Sequence, residues 1–217
     1  GAGNGRQIQS QHDVPRTPAA QVTAKKKSLY DSQRDTPRVQ EARAIFTEVQ
    51  ETYLSPRWGR LRFLDEFGVH QGLTRLLARA APGVRVAEGT PGYSGPHYTV
   101  VATLGVDGIE APWVLEGAMD EQAFFTYVAH VLWPTLRRGD IVILDNLSAH
   151  KSARVEALIR AAGAYLVFLP PYSPDFNPIE PCWSSIKRSL RKAKARTWEA
   201  LIEALRIALL QVTPQDA

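Results

Sequence analysis

The chain has 217 residues, 44% of them hydrophobic, and carries a net charge of +4 with a pI near 9.3. Its one cysteine, Cys182, excludes an internal disulfide and a cysteine zinc cluster, and no run of apolar residues is long enough to span a bilayer. What remains is a soluble, cytoplasmic protein with one core-bearing domain plus an appendage, whose modest positive charge favours a polyanionic partner without establishing one.

Residues 1–24 are rich in Gly, Gln, Pro and Ala and hold almost no large apolar side chains. They cannot bury enough surface to offset their ordering entropy, so a disordered or linker arm is expected there. Lys25-Lys26-Lys27 opens a charged stretch, and Val39, Ala42, Ile45, Phe46 and Val49 then recur at helical spacing behind Pro37. Residues 25–59 thus read as a linker with a helix leading into a core over 60–217.

Within the core, Leu61–Leu64 reads as a strand closed by Asp65, and Leu73–Arg79 as a second strand. Gly89, Pro91, Gly92, Gly95 and Pro96 mark a loop over 88–96. Tyr98–Leu104 is β-branched and bounded by turns, and the Asp107-Gly108 hairpin signal introduces a partner strand over Val106–Leu115. Asp120 then caps a helix whose stripe is Phe124, Tyr127, Val128, Val131 and Leu132, ended by Pro134. There follow a strand at Ile141–Leu144, a helix over 152–162 stopped by Gly163, and a short buried strand at Tyr165–Leu169. A helix with apolar positions Ile179, Trp183, Ile186 and Leu190 and a last helix over Thr197–Val212 complete the chain. This order predicts a mixed sheet with helices on its faces; pattern alone reaches only "α/β or α+β".

Three acids stand on rigid elements. Asp65 and Asp145 close strand-like runs and Glu180 opens a helix. Carboxylates held this way suit hard divalent cations, and two such ions about 3.5–4 Å apart can clamp the attacking and leaving oxygens of a phosphodiester displacement. Each acid has a plainer reading. Asp145 could bond nearby backbone N–H groups in a strand-end turn. Asp65 could pair with a nearby arginine such as Arg62, and Glu66 beside it is a rival ligand, because strand alternation sends the two to opposite faces. Glu180 could serve only the helix dipole, although Pro171, Pro174 and Pro178 stiffen its approach and fix where it points. Asp175 reads as a turn or cap residue. Asn146 could donate to a phosphate oxygen or cap a turn, and His150 could touch phosphate, orient a ligand or simply begin a helix; with Glu66 they form a supporting set. His70, His97 and His130 lack zinc-ligand spacing.

The pair Asp145-Asn146, with His150 five residues past Asp145, followed by Leu169–Trp183 (LPPYSPDFNPIEPCW), resembles the catalytic core of the mariner-like DDE transposase superfamily, in its bacterial insertion-sequence branch. The 34 residues between Asp145 and Glu180 are the separation that superfamily expects. Asp65-Glu66-Phe67-Gly68 resembles its first-aspartate motif, with Phe67 where a small hydroxyl residue is usual, and the resemblance runs from about Lys25 to the C-terminus. It implies a DDE superfamily endonuclease domain of α/β class, a ribonuclease-H-like mixed sheet with flanking helices. It also implies that Asp65, Asp145 and Glu180 are the catalytic residues and hold two Mg²⁺ ions, for which Mn²⁺ can substitute. Water would first free a 3′-hydroxyl at the element's end, and that hydroxyl would then attack target DNA, commonly at a TA dinucleotide. The implied partners are double-stranded DNA, as element ends and target, and another transposase chain, with no membrane and a nucleoid-associated location in the cytoplasm.

The stretch from Lys187 to Arg196 holds six cations: Lys187, Arg188, Arg191, Lys192, Lys194 and Arg196. Such a run is often only a solvated face; behind Glu180 it reads better as a DNA phosphate contact. Trp183 lies on an apolar stripe and reads as core, while Tyr172 and Phe176 fit either core or the DNA path. No helix-turn-helix reader is visible, so the 217 residues alone are expected to bind element ends and unrelated DNA about equally. Two rivals to the transposase reading stand: a truncated, non-autonomous remnant that binds DNA or pairs with an intact transposase, and a ribonuclease-H-type structure-specific nuclease.

Overall fold

The computed structural model describes residues 30–147 and 150–213. The arm expected over 1–24 lies outside the described residues. A compact unit begins at Asp31. Its centre is a five-stranded sheet of β1 (Leu61–His70), β2 (His97–Gly105), β3 (Gly108–Glu116), β4 (Ile141–Leu144) and β5 (Tyr165–Phe168). The spatial order is β3-β2-β1-β4-β5, antiparallel among the first three and parallel from β1 through β4 to β5. The helices are α1 (Pro37–Val49), α2 (Glu121–Tyr127), α3 (Ala153–Ala161), α4 (Ile179–Ala193) and α5 (Trp198–Leu210).

Alternation along β1 and β4 sorts the helices onto two faces. Phe67 and Val69 pack with Ile179, Trp183, Ile186 and Leu190 of α4 and with Leu201 and Leu205 of α5. Leu64, Val142 and Leu144 point the other way, to Phe124, Tyr127 and Leu132 of the α2 segment and Val155 and Ile159 of α3. The α4 stripe is buried as its spacing predicts. Local chemistry sets several ends: the Asp120 carboxylate accepts from the Ala123 N–H, Thr197 Oγ from the Ala200 N–H, and Gly163 turns the chain at φ 72°.

The stretch expected as a linker carries α1 docked on the sheet. Phe46 and Leu54 are buried against Ile141, Ile143 and Leu169, while Ile45, placed on the stripe by spacing, is 57% exposed. Three further expectations are corrected. β1 does not stop at Asp65 but runs on to His70, because β2 pairs with it residue by residue from Phe63 to His70. Leu73–Arg79 forms no strand: both edges of β1 are already taken by β2 and β4, and Leu76 and Leu77 stand 89% exposed. β5 is less buried than expected, since it is an edge strand with Tyr165 exposed.

Arg62, the arginine nearest Asp65 in sequence, is spent elsewhere. It lies buried with its Nε 3.0 Å from Glu110 and 3.7 Å from the fully buried Asp140, whose other contacts are the Arg137 N–H at 2.9 Å and Arg60 at 3.7 Å. Removing one member of a buried ion pair strands the other, at a cost of about 3–5 kcal/mol. Arg62→Ala, which leaves the fully buried Asp140 with only Arg60 at 3.7 Å as a counter-charge, is therefore expected to lower the unfolding free energy by that amount in a urea titration, and a loss within experimental error would mean the pair is solvated.

Candidate active site

The register of the parallel pair β1–β4 brings two of the acids together. Leu61 pairs with Ile141, Arg62 with Val142 and Phe63 with Ile143, a constant offset of 80 residues (141 − 61). Carried two residues further, the same offset directs Asp65, still in β1, and Asp145, the residue just past the end of β4, to one face of the sheet. Glu180, in the first turn of α4, covers that same face. Asp65, Asp145 and Glu180 line one pocket of about 470 Å³, together with Asn146 and residues of the proline-rich loop.

Each aspartate is held by a neighbour. The Trp183 indole N–H donates to Asp65 Oδ2 at 3.0 Å. Trp183 lies one turn after Glu180 on the same helix face, so α4 carries both an acid of the pocket and the donor that orients another. Its ring packs at 4.6 Å on Phe67, which occupies the place where a small hydroxyl residue was expected. Asp145 Oδ1 accepts from the Leu147 N–H at 3.2 Å and from the His150 Nδ1–H at 2.7 Å. His150 is only 2% exposed, packs its ring at a tilt 4.3 Å from that of Phe124, and sets its Nε2 3.7 Å from Glu66. Glu66 points to the α2–α3 side, as alternation from Asp65 requires, and reaches the site through His150; its buried Oε2 has no hydrogen-bond partner.

Charge is crowded here. Burial, then the negative charge of Glu180, push the Asp65 carboxyl up to about 7, with Glu66 and Asp145 adding to the effect and a backbone hydrogen bond at Glu66 opposing it. Glu66 is raised by burial and by Asp145 and Glu180, against the pull of His150. Burial of His150 disfavours its charge, yet the hydrogen bond to Asp145 and the charges of Glu66, Asp145 and Asp65 outweigh it and raise its pKa. Three raised groups in one place mean that the pocket holds protons an unfolded chain would release, the electrostatic condition a cation relieves.

Hard carboxylate oxygens fit Mg²⁺ or Mn²⁺. Among the described residues no three His, Cys, Asp or Glu side chains, these acids included, converge closely enough to hold a metal ion by themselves. Mg²⁺ does not require three, since it typically takes one or two carboxylates and completes its shell with water and substrate phosphate.

The proline-rich loop is fastened to α1. Arg43 donates to both Asp175 oxygens at 3.0 and 2.7 Å and to Ser173 Oγ at 2.7 Å, Arg34 adds a contact to Asp175 at 3.2 Å, and Phe176 packs on Phe46 at 5.2 Å. Asp175, read from sequence as a turn or cap residue, is thus an anchor, and its arginine hydrogen bonds hold its carboxyl below the ordinary range. Phe176 belongs to this packing. Tyr172 stands on the pocket rim, 45% exposed, with a left-handed φ of 54° that costs a non-glycine residue roughly 1–2 kcal/mol.

Of the six cations on and after α4, Lys187, Arg188, Arg191 and Lys192 lie on the helix; Lys187 sits 5.2 Å over the Phe67 ring. Lys194 pairs with Glu88. Arg196 is turned inward, against expectation: it donates to the Gln71 and Leu73 carbonyls at 2.7 and 3.0 Å and to Thr74 Oγ1 at 2.7 Å. Sequence reasoning missed Trp183 as a donor, which its one-turn spacing from Glu180 could have suggested. It also missed the Arg43 anchor, whose partners lie 130 residues or more away and leave no local signal.

His150→Ala is expected to leave Asp145 loosely oriented, lowering metal affinity or cleavage by about 10–100-fold, the usual effect of losing a residue that supports a metal ligand. Cleavage as a function of Mn²⁺ concentration measures this, and unchanged curves would make His150 a core residue only.

The strand order, two-sided helix cover and acid-lined pocket define a ribonuclease-H-like nuclease fold. The chain belongs to the DDE superfamily endonucleases, whose family model matches residues 60–202. No curated protein sequence matches it. Among solved structures it is similar to the Mos1 transposase paired-end complex with left transposon end, with a TM-score of 0.72 at 14% identity, over 90% of this chain and 62% of that one. The pre-cleavage Mos1 transpososome gives 0.73 at 14% identity over the same shares, and the catalytic domain of Mos1 mariner transposase 0.61 at 11%, over 87% of each chain. The chain spans 62% of the length of the transposase in the first two. Among the described residues no helix is long and apolar enough to cross a membrane.

Proposed function

We propose that this chain is the catalytic domain of a DDE transposase of the bacterial insertion-sequence kind, which cuts DNA strands at the element's ends and joins them to target DNA. The observation that carries this reading is the shared pocket of Asp65, Asp145 and Glu180, two of them at the end of the paired strands β1 and β4 and the third delivered by α4. Asp65, Asp145 and Glu180 are the catalytic residues and would hold two Mg²⁺ or Mn²⁺ ions; Mos1 mariner paired-end complexes exist with each of these metals. When bound, such ions activate an attacking oxygen and stabilise a leaving one. The chain's own part is to position. Trp183 fixes Asp65, His150 fixes Asp145, and the anchored proline-rich loop sets Glu180. Lys187, Arg188, Arg191, Lys192 and Lys194 take DNA phosphates, with element ends and target as substrates and a second transposase chain as partner, acting at the nucleoid.

Supercoiled plasmid incubated with the protein and Mg²⁺ or Mn²⁺ tests the cleavage, and a labelled strand with a free 3′-hydroxyl tests the joining. Nicked plasmid and joined product are expected. Cleavage of an RNA–DNA hybrid in preference to duplex DNA would overturn the reading in favour of a ribonuclease-H-type nuclease. No metal-dependent cleavage of any substrate would leave a DNA-binding remnant.

A further inference from the structure

α1 lies outside the segment that the family model matches, yet it borders the acid pocket. Three arginines occur just before it and along its first half, and they have different employment. Arg34 and Arg43 are spent on Asp175, and with Val39 and Phe46 buried they fix the helix in place. Arg38, between them, lines the pocket that holds Asp65, Asp145 and Glu180. It is exposed and, among the described residues, makes no ion pair or hydrogen bond, not even with the three acids whose pocket it shares. The fold therefore does not need its guanidinium, and the acids do not consume it. A planar fork of donors held by a rigid helix at the edge of a phosphodiester-cleaving pocket suits a phosphate, which arginine grips in a bidentate way.

We infer that Arg38 is a DNA-phosphate anchor of this pocket, gripping a backbone phosphate of the strand presented to Asp65, Asp145 and Glu180. The inference rests on the proposed function for the identity of the substrate. It adds an anchor from a helix that precedes the nuclease fold, on the pocket itself, separate from the α4 cations. α1 then has two tasks: it braces the proline-rich loop through Arg43, and it holds substrate through Arg38. Because Arg38 has no partner among the described residues, its loss weakens DNA binding without loosening the fold.

The test measures binding of the whole chain to a short labelled duplex in Ca²⁺, across a salt series, for wild type, Arg38→Ala and Arg38→Lys, with melting temperatures alongside. Arg38→Ala is expected to bind about tenfold more weakly or worse, as removal of a charge-assisted hydrogen bond implies. Its log–log salt slope should fall by roughly 0.9, the value for one phosphate. Arg38→Lys should recover the slope but only part of the affinity, and all three proteins should melt together. Equal affinity and slope for wild type and Arg38→Ala would overturn the inference, as would weaker binding accompanied by a lower melting temperature, which would assign Arg38 to the fold. Plasmid nicking in Mg²⁺ separates the two readings. An Arg38-dependent slope without nicking leaves the anchor standing and removes the transposase; nicking with an Arg38-independent slope removes only the anchor.

Discussion

Glu180→Gln and Asp145→Asn proteins are expected to bind duplex DNA as wild type does and to nick it not at all in Mg²⁺ or Mn²⁺. Each change removes a negative oxygen from the pocket and no phosphate-binding cation. The metal-free Glu180→Gln protein should also be the more stable one at alkaline pH. Asp65 has an ordinary carboxyl value of 3.8, raised to about 7 by burial and then by Glu180. Between those values the folded chain keeps a proton that the unfolded chain has lost. Stability therefore falls as pH rises through this window, and the penalty is complete above about 7. Glu66 and His150, both raised, act in the same direction. Removing the Glu180 charge relieves the crowding, so the variant should melt higher than wild type at pH 8. A gain of about 1 kcal/mol would appear as roughly 2–4 °C in a chain of this size. The difference should shrink at pH 5, where wild type carries the proton, and Mg²⁺ should raise the melting point of wild type more than that of the variant. Retained nicking by pure Asp145→Asn protein would remove Asp145 from the site. A Glu180→Gln protein less stable than wild type at pH 8 would show that Glu180 serves the helix dipole first and the pocket second.

The second large effect lies on α4. Neutralising Lys187, Arg188, Arg191 and Lys192 together is expected to weaken binding to any duplex by a similar factor. The log–log salt slope should fall by roughly 3.6, about 0.9 for each phosphate that is no longer neutralised. Arg196→Ala should behave differently. Its guanidinium ties the Gln71 and Leu73 carbonyls and Thr74 to the end of α4, so its loss should loosen residues 71–74 and leave the slope unchanged. An unchanged slope in the fourfold variant would reduce the run to a solvated face. A lower slope in Arg196→Ala would return that residue to the DNA side.

Much of this architecture is legible in the residues because local pattern decided it. The α4 stripe, the β-branched run of β2, the Asp107-Gly108 hairpin and the Asp120 cap each depend on neighbours a few positions away, and each forms where its pattern lies. Failures came where a partner far along the chain decides. β1 passes through Asp65, which read as a strand's end, because β2 pairs with it up to His70. Leu73–Arg79 has strand-like spacing but no free sheet edge beside β1. In the pocket, the three acids were visible as acids on rigid elements. That a register offset aligns two of them, that Trp183 serves Asp65, and that Arg43 reaches Asp175 are tertiary facts without a local signature. Arg196 shows the reverse error, since a run of cations reads alike whether its members face solvent or carbonyls.

The most direct measurement is an anomalous difference map from crystals of the protein soaked in Mn²⁺ at pH 8, where Asp65 has shed its proton. The account predicts manganese peaks among the carboxylates of Asp65, Asp145 and Glu180, with Trp183 and His150 still donating to the two aspartates. Manganese bound instead on the Glu66 and His150 side, with Asp65 bare, would contradict it.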